Sequence, residues 1–208
     1  MEFQVVRPRG SGDEALVMRG LRVLVGGPEV APGVPGGGDP AAIDERIAGF
    51  LAYAQTIKLD TRRQVLAMKE SAEGAVVAGM CLWVPATGRT AMMFGPGLSD
   101  YPEAAGGTEC AVVAALEDAR AAGIVLVQAM MEPSDAAGKT VFAAAGLSQL
   151  ATLTYMERKP PVHPPTFSLP PELTLAAYDA GTHEYFKAAI EGSYEKTLDC
   201  PALSEMRD

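Results

Sequence analysis

The chain has 208 residues, of which 48% are hydrophobic and 21% are charged, and its formal net charge at pH 7 is −9. This composition is typical of a globular protein and is too apolar for a disordered one. The negative charge argues against general binding to a phosphate backbone and favours a small or basic partner, although an acidic surface also serves solubility alone.

The first part of the chain predicts a short strand, two helices and a long connection between them. Alternating apolar residues indicate a strand at residues 3–5, and helical spacing indicates a helix at residues 13–24. Residues 26–40 contain six glycines and four prolines, which predicts a mobile surface loop. Asp39 followed by Pro40 then favours the start of a helix. The apolar face of that second helix consists of Ile43, Ile47, Phe50, Leu51 and Ala54.

Three strand-like runs follow, and the sequence predicts that they form a meander. The first two runs, residues 64–68 and 75–83, are separated by a hairpin turn at residues 71–74. The third run, residues 90–94, ends at a Gly-Pro-Gly sequence, residues 95–97.

Helices and strands then alternate in the sequence. Residues 109–122 predict a strong helix, and residues 124–131 are almost wholly apolar, which predicts a strand covered on both faces. Ser134 or Asp135 caps the next predicted helix, which ends at Gly146. Residues 150–157 then predict a last strand.

A proline-rich segment, residues 159–171, predicts a stiff linker after this unit. A strand at residues 173–175 and a helix at residues 184–194 are predicted behind the linker. The segments that begin at Glu2 and at Glu172 look like weak repeats of one strand-then-helix unit. We therefore expect a first domain at residues 1–158 and the start of a second, truncated domain at residues 172–208.

The few cysteines and histidines make a disulfide framework and a metal centre improbable. Cys81, Cys110 and Cys200 form no Cys-x-x-Cys pair, and His163 and His183 do not have the spacing of metal ligands. The N-terminus lacks the pattern of a signal peptide, and no apolar run approaches the ~20 residues that span a bilayer. These absences predict a cytoplasmic protein that acts without membrane or nucleic acid.

The order of elements over residues 2–158 resembles the GNAT family of acetyl-CoA-dependent N-acetyltransferases. It also looks like the N-terminal half of tandem GNAT proteins of the mycothiol-synthase type, because residues 194–201 resemble the end of the first helix of a second such domain. The resemblance implies an α/β fold of the α+β type, with a mixed, mainly antiparallel sheet flanked by helices and a partial second repeat. It also implies acyl transfer from acetyl-CoA to a primary amine on a small molecule.

The resemblance places a cofactor loop before the helix at residues 109–122. In the family, a splayed strand contacts the pantetheine, and a loop of pattern Arg/Gln-x-x-Gly-x-Gly/Ala holds the pyrophosphate at a helix N-terminus. The loop falls on residues 104–109, where Gly107 matches the central glycine, Ala104 replaces the basic residue and Glu109 replaces the last small residue. The implied cofactor-binding residues are Phe94, Gly95, Gly106, Gly107 and Thr108. A Gly-Gly turn before a helix is the plain structural alternative.

Two features of the sequence weaken the implied activity. No lysine or arginine occurs between Arg89 and Arg120, and acidic side chains surround the loop. The position of the family's proton-donating tyrosine, four residues before a Gly-Phe pair, is occupied by Phe142, which has no proton to give. The resemblance thus implies that this half is non-catalytic or binds the cofactor weakly. A missing C-terminal domain would carry the turnover, and a homodimer is another expected assembly.

Two alternatives remain open at the level of sequence. One is a GNAT-like module with no enzymatic activity that only packs against a partner. The other is a P-loop at residues 133–140, where a Gly-Lys-Thr sequence opens a helix. Pro133 stands where the P-loop needs its first glycine and removes an amide from the phosphate cradle, so the sequence argues against nucleotide binding there.

Overall fold

The computed structural model describes residues 2–98, 101–154 and 170–194. The chain divides into two compact units, Met1–Ser148 and Gln149–Asp208. The first unit contains, in chain order, β1 (Gln4–Val6), α1 (Glu14–Gly26), β2 (Glu29–Ala31), β3 (Val34–Pro35), α2 (Pro40–Thr56), β4 (Gln64–Lys69), β5 (Val76–Ala86), β6 (Thr90–Phe94), α3 (Ala105–Ala121), β7 (Leu126–Ala129) and α4 (Ala136–Ala144). The described part of the second unit contains α5 (His183–Tyr194).

Five strands form one sheet in the order β1-β4-β5-β6-β7. Every neighbouring pair is antiparallel except β6 and β7, which run parallel. The crossover between these two strands is the helix α3, as a parallel connection requires. This confirms the predicted mixed, mainly antiparallel sheet flanked by helices and excludes an all-parallel P-loop sheet.

The two faces of the sheet bury different helices because side chains alternate along each strand. On one face, Val65 and Met93 pack with Val112 of α3 and Phe142 of α4. On the other face, Leu66, Val77, Met80 and Leu82 pack with Val23 of α1, and α1 packs in turn against Ile43 and Ile47 of α2. The sheet is therefore covered on both sides by the helices that the apolar spacing predicted.

The glycine-rich connection between α1 and α2 is more ordered than the sequence predicted. Strands β2 and β3 pair there as a small antiparallel hairpin. Its base is closed by two backbone hydrogen bonds, from Gly36 N to Pro28 O (2.7 Å) and from Gly37 N to Gly26 O (3.1 Å). The prediction of a mobile surface loop did not include this hairpin, in which backbone groups pair with one another.

Helix α3 and strand β7 differ from the predicted elements in their bounds and burial. Helix α3 begins at Ala105 rather than at Glu109, after a 3-10 turn at Pro102–Ala104. Strand β7 covers only Leu126–Ala129, and its four side chains are half-buried instead of covered on both faces. Within the described residues β7 lies at one end of the sheet, which explains the lower burial.

The predicted strands after α4 are not present in the described residues. Residues 150–154 have no regular secondary structure, and residues 155–157 lie outside the described part of the chain. Residues 173–175, predicted as a strand, are also irregular. Apolar alternation over three residues, without a partner strand, was too weak a basis for that prediction.

Helix α5 confirms the helix predicted at residues 184–194. The turn before the helix is stabilised by Asp179, which accepts hydrogen bonds from Gly181 N (2.7 Å) and Thr182 N (2.9 Å). The rings of Tyr178 and Phe186 meet edge to face at 5.5 Å. Most of the predicted linker and the segment 195–208 lie outside the described residues, so the proposed domain boundaries remain a prediction.

Candidate functional site

The carboxyl end of β6 brings together three of the residues that the resemblance singled out. A Cβ atom placed on Gly95 would lie 3.5 Å from Phe142 Cζ and 3.6 Å from Thr108 Cγ2. Phe142 is 6% exposed and Thr108 is fully buried. The structure thus places the residue at the implied tyrosine position beside Gly95 and Thr108, and the three residues form an apolar contact.

Phe94 points away from this contact. Its backbone pairs with Leu82 of β5, and its side chain packs with the cluster beneath α1 and α2. Met93, one residue earlier, still pairs with Ala129 of β7. The pairing of β6 with β7 ends at Met93, so Phe94 has a strand partner only on the β5 side within the described pairings.

A carboxylate fastens the segment after β6 to the N-terminus of α4. Asp135 is the N-cap of α4, and its Oδ1 accepts a hydrogen bond from Gly138 N at 2.9 Å. Its Oδ2 accepts a second hydrogen bond from Leu98 N at 3.1 Å. Leu98 itself is fully buried in the cluster that contains Phe142. The segment after β6 is therefore anchored to α4, and its Leu98 side chain is part of the core on this face of the sheet.

The predicted pyrophosphate loop is the first turn of α3. Gly107 is buried against β5, where a Cβ atom on it would lie 2.7 Å from the carbonyl carbon and oxygen of Ala78. A Cβ atom on Gly79 would in turn collide with the backbone of Gly107 and Thr108. This pair of glycines lets the helix backbone touch the strand backbone, and it gives Gly107 a packing role that the sequence alone did not indicate.

The remaining residues of the loop pattern have different environments. Ala104, which occupies the basic position, is 1% exposed and belongs to the core. Gly106 is exposed on the side of α3 that faces β1, and a Cβ atom on it would lie 3.5 Å from the ring of Phe3. Thr108 Oγ1 is buried and has no hydrogen-bond partner among the described residues. The structure does not test whether any of these residues binds a cofactor, so those assignments stay predictions.

Tyr101 joins the segment after β6 to the connection between α1 and α2, a contact that the sequence did not reveal. Its ring lies in a notch made by Gly27 and Gly37, so close that a Cβ atom on Gly27 would be 2.7 Å from the ring. A Cβ atom on Gly37 would collide with the Tyr101 hydroxyl. Nothing in the sequence connects Tyr101 with these distant glycines, and the contact is evident only in the folded chain.

A buried ion pair holds the β2–β3 hairpin against the sheet. The Glu29 side chain is fully buried, and its Oε1 accepts a hydrogen bond from Arg19 Nε at 2.8 Å. Its Oε2 accepts another from Val77 N at 2.8 Å, while the Arg19 guanidinium also donates to Ala75 O at 2.7 Å. The hydrogen bond to Glu29 raises the pKa of Arg19. Nothing in the sequence distinguished Glu29 from the exposed carboxylates.

The segment 133–140 does not form a phosphate cradle. Lys139 Nζ donates a hydrogen bond to Pro133 O at 2.7 Å, so the lysine closes its own turn. The Asp135 carboxylate accepts a hydrogen bond from the Gly138 amide at the N-terminus of α4, where an anion would have to bind. Both contacts agree with the sequence argument against nucleotide binding at this turn.

At the position that the resemblance implies, the described residues supply no cation for a pyrophosphate. Gly107 and Thr108 are packed against β5, and no lysine or arginine lies between Arg89 and Arg120. The Thr108 hydroxyl is a buried side-chain oxygen without a hydrogen-bond partner within the described part of the chain. One buried hydroxyl does not make a site for a doubly charged pyrophosphate.

The two cysteines in the described residues differ in their surroundings. Burial raises the pKa of the Cys81 thiol to about 12, which makes it inert at neutral pH. Cys110 is half-buried on α3, and its pKa is raised by partial desolvation and by the nearby Glu109. Within the described ranges no group of histidine, cysteine and carboxylate side chains has the arrangement of a metal site. None of the helices in these ranges is long and apolar enough to cross a membrane.

Comparisons with known proteins give little further identification. No protein-family model matches the chain, and no curated protein matches it. Among solved structures, the chain is similar to the "Putative acetyltransferase from Agrobacterium tumefaciens str. C58", with 17% sequence identity and a TM-score of 0.38. The match covers 74% of this chain and 99% of the other chain. A likeness of this size does not establish a family or an activity.

Proposed function

We propose that the chain is a GNAT-like module of an acetyltransferase, and that the half described by the structure does not itself catalyse acetyl transfer. The order of elements supports the first part of this proposal, since a strand, two helices, a three-stranded meander and a parallel β6–β7 pair follow one another as in the family. Further parts of the proposal are a tandem arrangement with a second domain, a small-molecule primary amine as acceptor and a cytoplasmic location.

The closed end of β6 is the observation that carries the second part of the proposal. Leu98 is buried in the core cluster that contains Phe142, and Asp135 accepts a hydrogen bond from the Leu98 amide. Acyl transfer from a thioester needs backbone amides that polarise the carbonyl and a group that protonates the leaving thiolate. Phe142 supplies no proton, and the Leu98 amide already has an acceptor. The family resemblance implies acetyl-CoA as the cofactor. We expect this half of the protein to bind acetyl-CoA weakly or not at all.

Titration calorimetry of the chain with acetyl-CoA tests this proposal. We expect no heat of binding at millimolar cofactor and no shift of the melting temperature. Binding would be visible in the melting temperature, since a ligand at about 100 times its dissociation constant stabilises a protein by ~2.7 kcal/mol. A micromolar dissociation constant would overturn the proposal. The Phe142→Tyr variant is the matched control, since it restores the proton donor and leaves the closed end of β6 unchanged. Acetyl transfer to amines by this variant alone would show that the end of β6 is open to the cofactor.

A module without any enzymatic partner is the second candidate, and the same closed site favours it equally. The two candidates differ in what the second domain does. An acetyltransferase assay of the natural protein, with acetyl-CoA and a panel of primary amines, separates them: turnover supports the first candidate, and its complete absence supports the second.

A further inference from the structure

A groove runs along the outer face of α3 beside strand β1. It is lined by Val5, Gly106, Glu109, Cys110, Val113, Ala114 and Glu117, and its volume is about 380 Å³. Phe3 lies at the Gly106 end of the groove, whereas Arg7 contacts Asp118 near the other end. Strand and helix therefore run side by side in the same direction, and the floor between them is apolar.

Strand β1 is an edge of the sheet within the described residues, because it pairs only with β4. An edge strand presents backbone N–H and C=O groups that an added strand can pair with. Addition of an extended peptide to such an edge gives affinity through main-chain hydrogen bonds, and adjacent grooves give specificity through alternate side chains. The groove and the free edge lie next to each other here, since Val5 belongs to both.

The groove has an acidic rim around an exposed apolar side chain. Glu109 and Glu117 lie eight residues apart on α3, about 12 Å along the helix axis, and Val113 lies midway between them with 42% of its surface exposed. Neither glutamate forms an ion pair within the described part of the chain, whereas Asp118 binds both Arg7 and Arg9 at 2.8 Å. Arg7 and Arg9 share the single Asp118 carboxylate, so this trio keeps a net positive charge near Glu117, and the acidic character of the rim is strongest at Glu109.

We infer that this groove binds an extended, basic peptide segment of a partner protein, which adds to the edge of β1. An aliphatic side chain of the segment lies on Val113 and Ala114, and a lysine or arginine two residues before it, on the same face of the added strand, pairs with Glu109. A second basic residue reaches Glu117, where Arg7 and Arg9 reduce the attraction. A phosphate backbone or an anionic membrane carries the wrong charge for this rim. The inference goes beyond the proposed function and does not rest on it, although Gly106 and Glu109 also belong to the implied cofactor loop at residues 104–109.

Fluorescence anisotropy with the labelled seven-residue peptide Thr-Lys-Thr-Val-Thr-Lys-Thr, which places two lysines and the valine between them on one face of a strand, tests the inference on the full chain. We expect saturable binding that weakens as salt is raised, and no binding of the matched peptide in which glutamate replaces lysine. Glu109→Gln should weaken binding about fivefold and Glu117→Gln about twofold, which are the effects of partly exposed charge pairs. Glu73→Gln, at the exposed turn between β4 and β5, is the charge-matched control and should have no effect.

Alkylation of Cys110 by iodoacetamide locates the bound peptide, because this half-buried thiol lines the groove. Peptide mapping by mass spectrometry should show slower labelling of Cys110 when the lysine peptide is present. Unchanged labelling, equal binding of both peptides or no binding would each overturn the inference. Protection of Cys110 by higher protein concentration alone, with a dimer in light scattering, would overturn it in favour of a second copy of the chain. Circular dichroism confirms that each variant is folded.

Discussion

Two glycine-rich segments of the molecule, residues 26–38 and residues 106–107, have opposite structural roles. In the first segment, the glycines make turns and a notch that holds the ring of Tyr101. In the second, the glycines lie inside α3, and Gly107 lets the helix touch the backbone of β5. Both segments have the composition of a loop, but only the first one is a connection between elements.

The difference lies in what surrounds each glycine. Gly27 has a φ of 78°, in the left-handed region that other residues avoid, so conformation requires glycine there. Gly107 is helical, and there the reason is the absence of a Cβ atom, since any side chain would meet Ala78. A glycine pair in a sequence can thus mark a close approach of two backbones as well as a turn, and only the packing distinguishes the two.

The largest expected effect tests what holds the first segment in place. Glu29→Gln removes the charge that pairs with Arg19 and disturbs the hydrogen bond from Val77 N. We expect a loss of about 3 kcal/mol in the free energy of unfolding, as for other buried pairs that lose one partner. Urea denaturation measures this loss. Glu73→Gln is the control, because Glu73 is exposed and should change stability by less than about 0.5 kcal/mol. Similar values for both variants would show that the hairpin does not depend on Glu29.

The second expected effect tests the close approach of α3 to β5. In Gly107→Ala the new Cβ atom lies 2.7 Å from the carbonyl group of Ala78, and backbone atoms on both sides cannot move aside cheaply. We expect a loss of about 2 kcal/mol, the usual cost of an overpacked core position. Urea denaturation of this variant beside the wild type measures it. An unchanged midpoint would mean that the helix and the strand are farther apart than described.

The main elements of the fold could be predicted from the sequence because their signals are local. Asp39 followed by Pro40 marks the start of α2, and Asp135 marks the start of α4. In both places the aspartate side chain accepts a hydrogen bond from a backbone N–H group of the first helical turn. Alternation along β4 and β5 likewise places Val65 and Leu66 on opposite faces of the sheet. The start of α3 could not be predicted in this way, because its first turn contains Gly106 and Gly107, which usually disfavour a helix.

The candidate site was less predictable, since its character depends on contacts between distant segments. The resemblance put Phe142 at the family's tyrosine position, and the structure adds that it lies beside Gly95. No feature of the sequence indicated that Leu98 is buried or that Asp135 accepts a hydrogen bond from its amide, 37 residues away. The pairing of Glu29 with Arg19 was equally hidden, because many carboxylates in the chain have an arginine within a similar distance along the sequence.

A smaller effect is expected from Tyr101, which connects the first glycine-rich segment to the segment after β6. Tyr101→Ala removes the ring from the notch of Gly27 and Gly37 and exposes their backbone. We expect a loss of about 1.5 kcal/mol, because the ring is only partly buried, and faster amide exchange across residues 26–38. Hydrogen exchange with mass spectrometry measures both segments at once. Tyr53→Ala, on the exposed face of α2, should leave exchange in this segment unchanged, and an equal response of both variants would contradict the proposed contact.

The smallest expected effect separates the two glycines of α3 from each other. Gly106 is exposed, and a Cβ atom on it would make an ordinary contact of 3.5 Å with the ring of Phe3. Gly106→Ala should therefore stabilise the chain by about 0.5 kcal/mol, since alanine favours the helix and restricts the unfolded chain. Thermal unfolding beside Gly107→Ala measures the contrast: one substitution should raise the melting temperature and its neighbour should lower it. If both lowered it, the first turn of α3 would need glycine for its backbone conformation, and the close approach to β5 would not be the reason for the glycine pair.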